Sequence, residues 1–112
     1  MEHKIENQKR WYDKNKDRHY RNTRIRSKRI CAENALFIKE LKESTPCTDC
    51  GKSYAAYVMD FDHLSDKSGP VHRFLTYSRK RLLQEINKCE IVCSNCHRER
   101  TYQRWAANLM AE

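Results

Sequence analysis

The sequence predicts an α+β fold: a long basic helical arm, then a small domain of two short strands and short helices stapled by a metal. Three observations predict it. Residues 2–44 contain neither glycine nor proline. Residues 57–62 and 89–93 read as short strands. Two cysteine pairs, Cys47-Thr-Asp-Cys50 and Cys93-Ser-Asn-Cys96, bracket the region between the strands.

The chain has 112 residues, enough for one domain with a modest core. Only 38% is hydrophobic and 34% is charged, so burial alone would stabilise it weakly. A bound metal would make up the difference, because ligand binding and folding then share one free energy. No apolar run is long enough to cross a bilayer, and Glu2 to Arg29 is too charged for a secretory signal. A cytoplasmic location is expected, where six cysteines serve as reduced ligands rather than disulfides.

Residues 1–44 form the arm, rich in helix formers and expected as one long helix or two stacked ones. Residues 1–30 hold eleven Lys/Arg and four Asp/Glu, a net charge of +7 out of +8 for the whole chain. Arg10, Lys14, Arg18, Arg21, Arg24 and Lys28 are candidate contacts to a polyanion, most simply nucleic acid, since each phosphate contact releases counterions. A solvated helix kept for solubility is the plainer reading of such a run. A membrane surface is disfavoured, because Ile5, Trp11, Tyr12, Tyr20 and Ile25 are too sparse to form an apolar stripe. Cys31, Ala35 and Ile38 follow helical spacing, as do Phe37 and Leu41, and should dock the arm's end. Pro46 cannot continue the hydrogen-bond ladder and stops the helix.

Residues 45–112 form the domain. Cys47-Thr-Asp-Cys50-Gly51-Lys52 has the form of a zinc knuckle, with Gly51 allowing the backbone to turn toward sulfur. In residues 57–62, Tyr57, Met59 and Phe61 alternate with Val58, Asp60 and Asp62, the period of a strand. Residues 64–78 read as a loop broken by Gly69-Pro70. Residues 79–87 read as a short helix with Leu82, Leu83 and Ile86 inward. Residues 89–93 form the second strand, and Ser94 is the expected N-cap of a helix reaching about residue 108.

Two residues between paired cysteines let both sulfurs reach one ion, and four thiolates suit tetrahedral Zn²⁺. A redox Cys-x-x-Cys would not explain two such pairs. Haem attachment through Cys93-Ser-Asn-Cys96-His97 would need export. Cys31 and Cys89 have no spacing partner and read as small buried hydrophobes.

Asp62 and His63 are adjacent at a strand end and so point to opposite faces. If the zinc clamps the last helix to this strand, His97 faces Asp62. One carboxylate and one imidazole then hold a hard divalent metal with positions left for water and phosphate oxygens. His63 stands beside it, suited to take a proton from water near neutral pH. An isolated Asp-His step is more often surface decoration, but its placement between the cysteine pairs favours chemistry. His3, His19 and His72 read as solvated.

Taken together, Cys47-Thr-Asp-Cys50-Gly, Met59-Asp-Phe-Asp-His63, Glu85-Ile-Asn-Lys-Cys-Glu-Ile-Val-Cys93 and Ser94-Asn-Cys-His97-Arg-Glu-Arg resemble the HNH endonuclease family. The likeness covers about residues 45–103 and is strongest to small phage-type members carrying a four-cysteine zinc. It implies a ββα-metal nuclease domain with a structural zinc knuckle, Zn²⁺ on Cys47, Cys50, Cys93 and Cys96, and catalytic Mg²⁺, Mn²⁺ or another divalent ion on Asp62 and His97. It implies His63 as general base, 5′-phosphate and 3′-hydroxyl products, DNA bound at its minor groove, and the host cell cytoplasm as location if the protein is phage-encoded. Arg98 joins the candidate DNA contacts. The family's middle asparagine braces the base histidine, yet Lys88 stands at that position. Asn87, one residue early, or Asn95 would have to serve, unless His63 is held otherwise.

Two classes of function follow. The first is a metal-dependent DNA endonuclease that nicks or cuts double-stranded DNA. The second is a non-catalytic zinc module that binds DNA, for which Lys88 is the best argument. A variant of the first is a phage packaging accessory, cutting only with a packaging protein partner. The arm has few Asn or Gln at regular spacing, so contact to the phosphate backbone is expected rather than base readout.

Overall fold

The computed structural model describes residues 2–111. The side chains of Glu2 and His3 fall outside that description, and with them the expectation of a solvated His3. The arm is one unbroken helix, α1 (Glu2–Ser44), of 43 residues. At ~1.5 Å per residue it accounts for most of the molecule's 69 Å long axis. From residue 4 to 26 every side chain except that of Asn15 is exposed. This half projects because its apolar residues, Ile5, Trp11, Tyr12, Tyr20 and Ile25, are too scattered among charges to form a face that packs.

The last third of α1 docks on the domain. Phe37, Ile38 and Leu41 pack on the core, and the Arg79 guanidinium lies 4.2 Å above the Phe37 ring. Asn34, only 3% exposed, is the polar tie. Its Nδ2 donates to the carbonyls of Leu75 at 2.8 Å and Tyr77 at 3.0 Å, and its Oδ1 accepts from Arg79 Nε at 2.8 Å. Asn34→Ala strands these buried partners and is expected to cost about 1–3 kcal/mol, read as a lower midpoint in urea unfolding.

Beyond Pro46 come the cysteine knuckle and β1 (Met59–His63). Residues Val71–Thr76 make a 3₁₀ turn that leads into α2 (Arg79–Ile86). Then come β2 (Cys89–Cys93) and α3 (Ser94–Met110). The two strands pair antiparallel, with Met59 opposite Cys93 and His63 opposite Cys89. The result is mixed helix with a two-stranded antiparallel sheet, the α+β class read from the sequence.

Several boundaries differ from the expectation, each for a local reason. Ala56–Val58 forms a 3₁₀ turn, so the strand starts at Met59 and leaves Tyr57 exposed. The segment 64–78 is not merely a loop, because its 3₁₀ turn buries Val71 and Phe74. Leu83 is only half-buried, while Leu82 and Ile86 are buried. The N-cap of α3 is Cys93 rather than Ser94: Cys93 Sγ accepts from the Cys96 N–H at 3.5 Å. Ser94 instead donates its hydroxyl to the Val58 carbonyl at 2.9 Å, tying α3 to the entry of β1.

The core has two parts. Cys47, Met59, Ile91, Val92 and Cys93 surround the knuckle. Val71, Phe74, Leu82 and Ile86 lie under α1. Leu41 and Phe61 touch both. Among the described residues no helix is long and apolar enough to cross a membrane.

Candidate active site and metal-binding cluster

The four cysteines meet. The sulfurs of Cys47, Cys50, Cys93 and Cys96 all lie within 4.8 Å of one another, a cluster that could hold a metal ion such as zinc. Gly51 makes the knuckle turn at φ 73°, a left-handed value that costs glycine little, and its N–H closes on the Cys47 carbonyl at 2.9 Å. Cys93 N–H donates to Cys47 Sγ at 3.2 Å. Burial pushes the Cys47 thiol up, but N–H groups turned toward its sulfur outweigh this and bring it down to about 6. A sulfur held so near the thiolate form suits a metal ligand. Cys31 and Cys89 are free and half-buried.

The cluster joins the entry of β1 to the start of α3. His97, in the first turn of α3, therefore lies against β1. Its ring sits between two carboxylates: Nδ1 is 3.1 Å from Asp60 Oδ2, and Nε2 is 3.6 Å from Asp62 Oδ1. Asp62 and His97 thus face each other as one carboxylate and one imidazole, donor types that divalent metals accept. Among the described residues, though, three or more donor atoms converge within 4.8 Å only at the four cysteines.

Asp62 is 3% exposed and already well partnered. Arg100 Nη1 donates to its Oδ2 at 2.8 Å. Arg104 donates to both oxygens, at 2.9 and 2.7 Å. The Arg104 hydrogen bonds, against the opposing effect of burial and with help from Arg100, hold the Asp62 carboxyl down at about 2. Arg100 also forks onto Asp49 with two bonds of 2.6 Å, fastening α3 to the knuckle. A metal on Asp62 must displace part of this guanidinium pair.

His63 points to the other face of β1, as adjacent strand positions require. Its Nε2 lies 3.1 Å from Oε1 of Glu85, a residue with 0% exposure on α2. The same Oε1 accepts from the Ser68 N–H at 3.0 Å, and Lys88 Nζ donates to Oε2 at 3.0 Å. Among the described residues, no side-chain hydrogen bond joins Asn87 or Asn95 to His63. Asn87 is exposed at the C-cap of α2. Asn95 is exposed in the first turn of α3, where it faces Arg98 and Tyr102.

Asp60, His63 and His97 share the wall of one cavity of about 500 Å³, completed by α1 through Ile38 and Lys42 and by Lys67 and His72 of the loop. Burial lowers the Lys42 pKa, opposed by the charge of Asp60. His72 is exposed, like His19.

Arg10, Lys14, Arg18, Arg21, Arg24 and Lys28 are all exposed on α1, and Arg98 is exposed on α3. On an ideal helix the six α1 cations fall within an arc of about 120°. Lys28, Ala35 and Lys42 are spaced by heptads and so run along one side. Ala35 and Lys42 line the cavity, so the side of α1 that carries the basic stripe continues into the cavity wall.

Sequence reasoning passed over Asp60, Lys42, Glu85, Arg100 and Arg104. Signals existed for most. Asp60 is two residues before Asp62, on the same strand face. Arg100 and Arg104 follow His97 by three and seven, on the same helix face. Glu85 interrupts the apolar stripe of α2 between Leu82 and Ile86. Comparison with protein-family models, with curated proteins and with solved structures finds no match to this chain.

Proposed function

We propose that this protein is a metal-dependent DNA endonuclease of the HNH type, hydrolysing phosphodiester bonds to 5′-phosphate and 3′-hydroxyl ends. One observation carries the reading: Asp60, His63 and His97 line a single cavity at the end of the basic stripe. His63 takes a proton from a water molecule. The resulting hydroxide bonds to phosphorus as the bond to the 3′-oxygen breaks, and the leaving oxygen takes a proton from solvent. Asp62 and His97 would hold the divalent ion, Mg²⁺ or Mn²⁺, which would polarise the phosphate and offset charge on the leaving oxygen. The four cysteines, with Zn²⁺, clamp β1 to α3 and fix His97 against Asp62. The test is nicking of supercoiled plasmid in Mg²⁺ or Mn²⁺.

The stripe on α1 supplies affinity by contacting phosphates. Replacing Arg10, Arg18 and Arg21 together by alanine is expected to flatten the slope of log binding constant against log salt by about 2.7, or ~0.9 for each phosphate no longer neutralised. An unchanged slope in a fluorescence titration would remove the arm from the interface.

A second reading is favoured by a specific observation, the Arg100 and Arg104 pair on Asp62. If those guanidiniums permanently replace a cation, the protein is a non-catalytic zinc-containing module that binds DNA. It then binds plasmid without nicking it.

A further inference from the structure

We propose that Glu85 and Lys88 form a charged brace that positions His63, with Glu85 fixing the tautomer of the imidazole and Lys88 tying Glu85 to the loop after β1. The proposal rests on the reading of His63 as the base and names what holds it.

Glu85 is a carboxylate with 0% exposure in a core that has little apolar mass to spare. An isolated charge there would be costly, and a leucine would continue the stripe of Leu82 and Ile86. The carboxylate is instead surrounded by donors. His63 and the Ser68 N–H meet Oε1, and Lys88 Nζ meets Oε2 at 3.0 Å, with Arg81 Nη1 at 3.8 Å. Burial works against ionisation, but hydrogen bonds from Lys88, Ser68 and His63 outweigh it and hold the acid down at about 2.

An ionised carboxylate only accepts hydrogen bonds. The His63 nitrogen facing Glu85, Nε2, therefore carries the proton. In the neutral ring this leaves the lone pair on Nδ1, the nitrogen turned away from Glu85, as the one that can take a proton from water. A ring free to turn would spend time in the wrong tautomer or orientation.

Lys88 extends the brace to the loop. Its Nζ also donates to the Asp66 carbonyl at 2.9 Å and to Ser68 Oγ at 3.0 Å. Its own carbonyl accepts from the Leu64 N–H at 2.9 Å. One residue thus fastens the segment 64–68 at three points and neutralises the acid that orients His63. This is the position where the resemblance led one to expect an asparagine. Lys88 and Glu85 are one turn apart, so a single helix end delivers both.

The two are positioning residues, and the test separates that role from plain stability. Glu85→Gln keeps the shape and loses the charge. Lys88→Met keeps the stem and loses the ammonium, at a half-buried position where folding is less at risk. Both are compared with wild type for plasmid nicking, DNA affinity and melting, and the His63 ring is read by long-range ¹H–¹⁵N spectra. The expected result is a ~10–100-fold fall in kcat with KM and DNA affinity unchanged. In wild type the ring is expected as the Nε2–H tautomer, and in Glu85→Gln as a mixture. If Glu85→Gln does not fold, Lys88→Met and the wild-type spectrum decide. Variants nicking within about twofold of an active wild type, or a wild-type ring in the Nδ1–H form, would sink the brace alone. A wild type that binds DNA but never nicks it sinks the nuclease reading and takes the brace with it.

Discussion

Cys93→Ser is expected to unfold the domain. Cys93 is 2% exposed, belongs to the core around the knuckle, and shares its sulfur cluster with Cys47, Cys50 and Cys96. Serine is a good N-cap, so the substitution preserves the capping of α3 while removing one of the four clustered sulfurs that could hold a metal ion. Loss of the fold would then report loss of the ion, not loss of a helix cap. Structural zinc in small domains contributes an apparent ~10–16 kcal/mol, as much as the whole net stability of ~5–15 kcal/mol typical of a folded protein. The core is thin: Met59, Leu82 and Val92 are its fully buried apolar side chains. The measurement is amide dispersion in ¹H–¹⁵N spectra together with metal content, and a chelator added to wild type should give the same collapse. A metal-free Cys93→Ser protein that melts like wild type would show the cluster to be dispensable.

His63→Ala is the second large effect. Removing the proposed general base is expected to cost ~10²–10⁴-fold in rate. The two neighbouring carboxylates are already engaged, Asp60 with His97 and Asp62 with Arg100 and Arg104. His63 is half-buried in a strand and joined to Glu85 by one bond, so its loss should leave the fold and the arm intact. DNA affinity is therefore expected to stay within about twofold of wild type, because the proposed phosphate contacts reside on α1 and α3.

How far the sequence could be read follows from what each signal depends on. The absence of glycine and proline made α1 visible, and the two cysteine pairs announced their cluster. Both are signals of residue type and spacing, which need no knowledge of packing. That Asp62 would face His97 was legible because strand alternation and the cysteine clamp together dictate that meeting. Glu85 was not, because only tertiary packing reveals that an acid on a short helix faces a histidine from a strand twenty-two positions earlier. The guanidinium pair on Asp62 was hidden for the same reason: its members come from α3 and reach across to β1. Lys88 stood out as a departure from a motif, yet its partners, the Asp66 carbonyl and Ser68, belong to a loop that carries no pattern. The 3₁₀ turn at Val71–Thr76 was read as plain loop since Gly69-Pro70 precedes it and six residues are too few to show a period.

Whether this hairpin end performs hydrolysis is decided most directly by one comparison. Wild type and His63→Ala, each shown to be folded and to bind DNA equally, are incubated with supercoiled plasmid in Mn²⁺ and in Mg²⁺. Nicking by wild type that chelation abolishes and that falls by ~10²–10⁴-fold in His63→Ala is the predicted result. Equal nicking by the two proteins, or binding by wild type with no nicking in either metal, would contradict it.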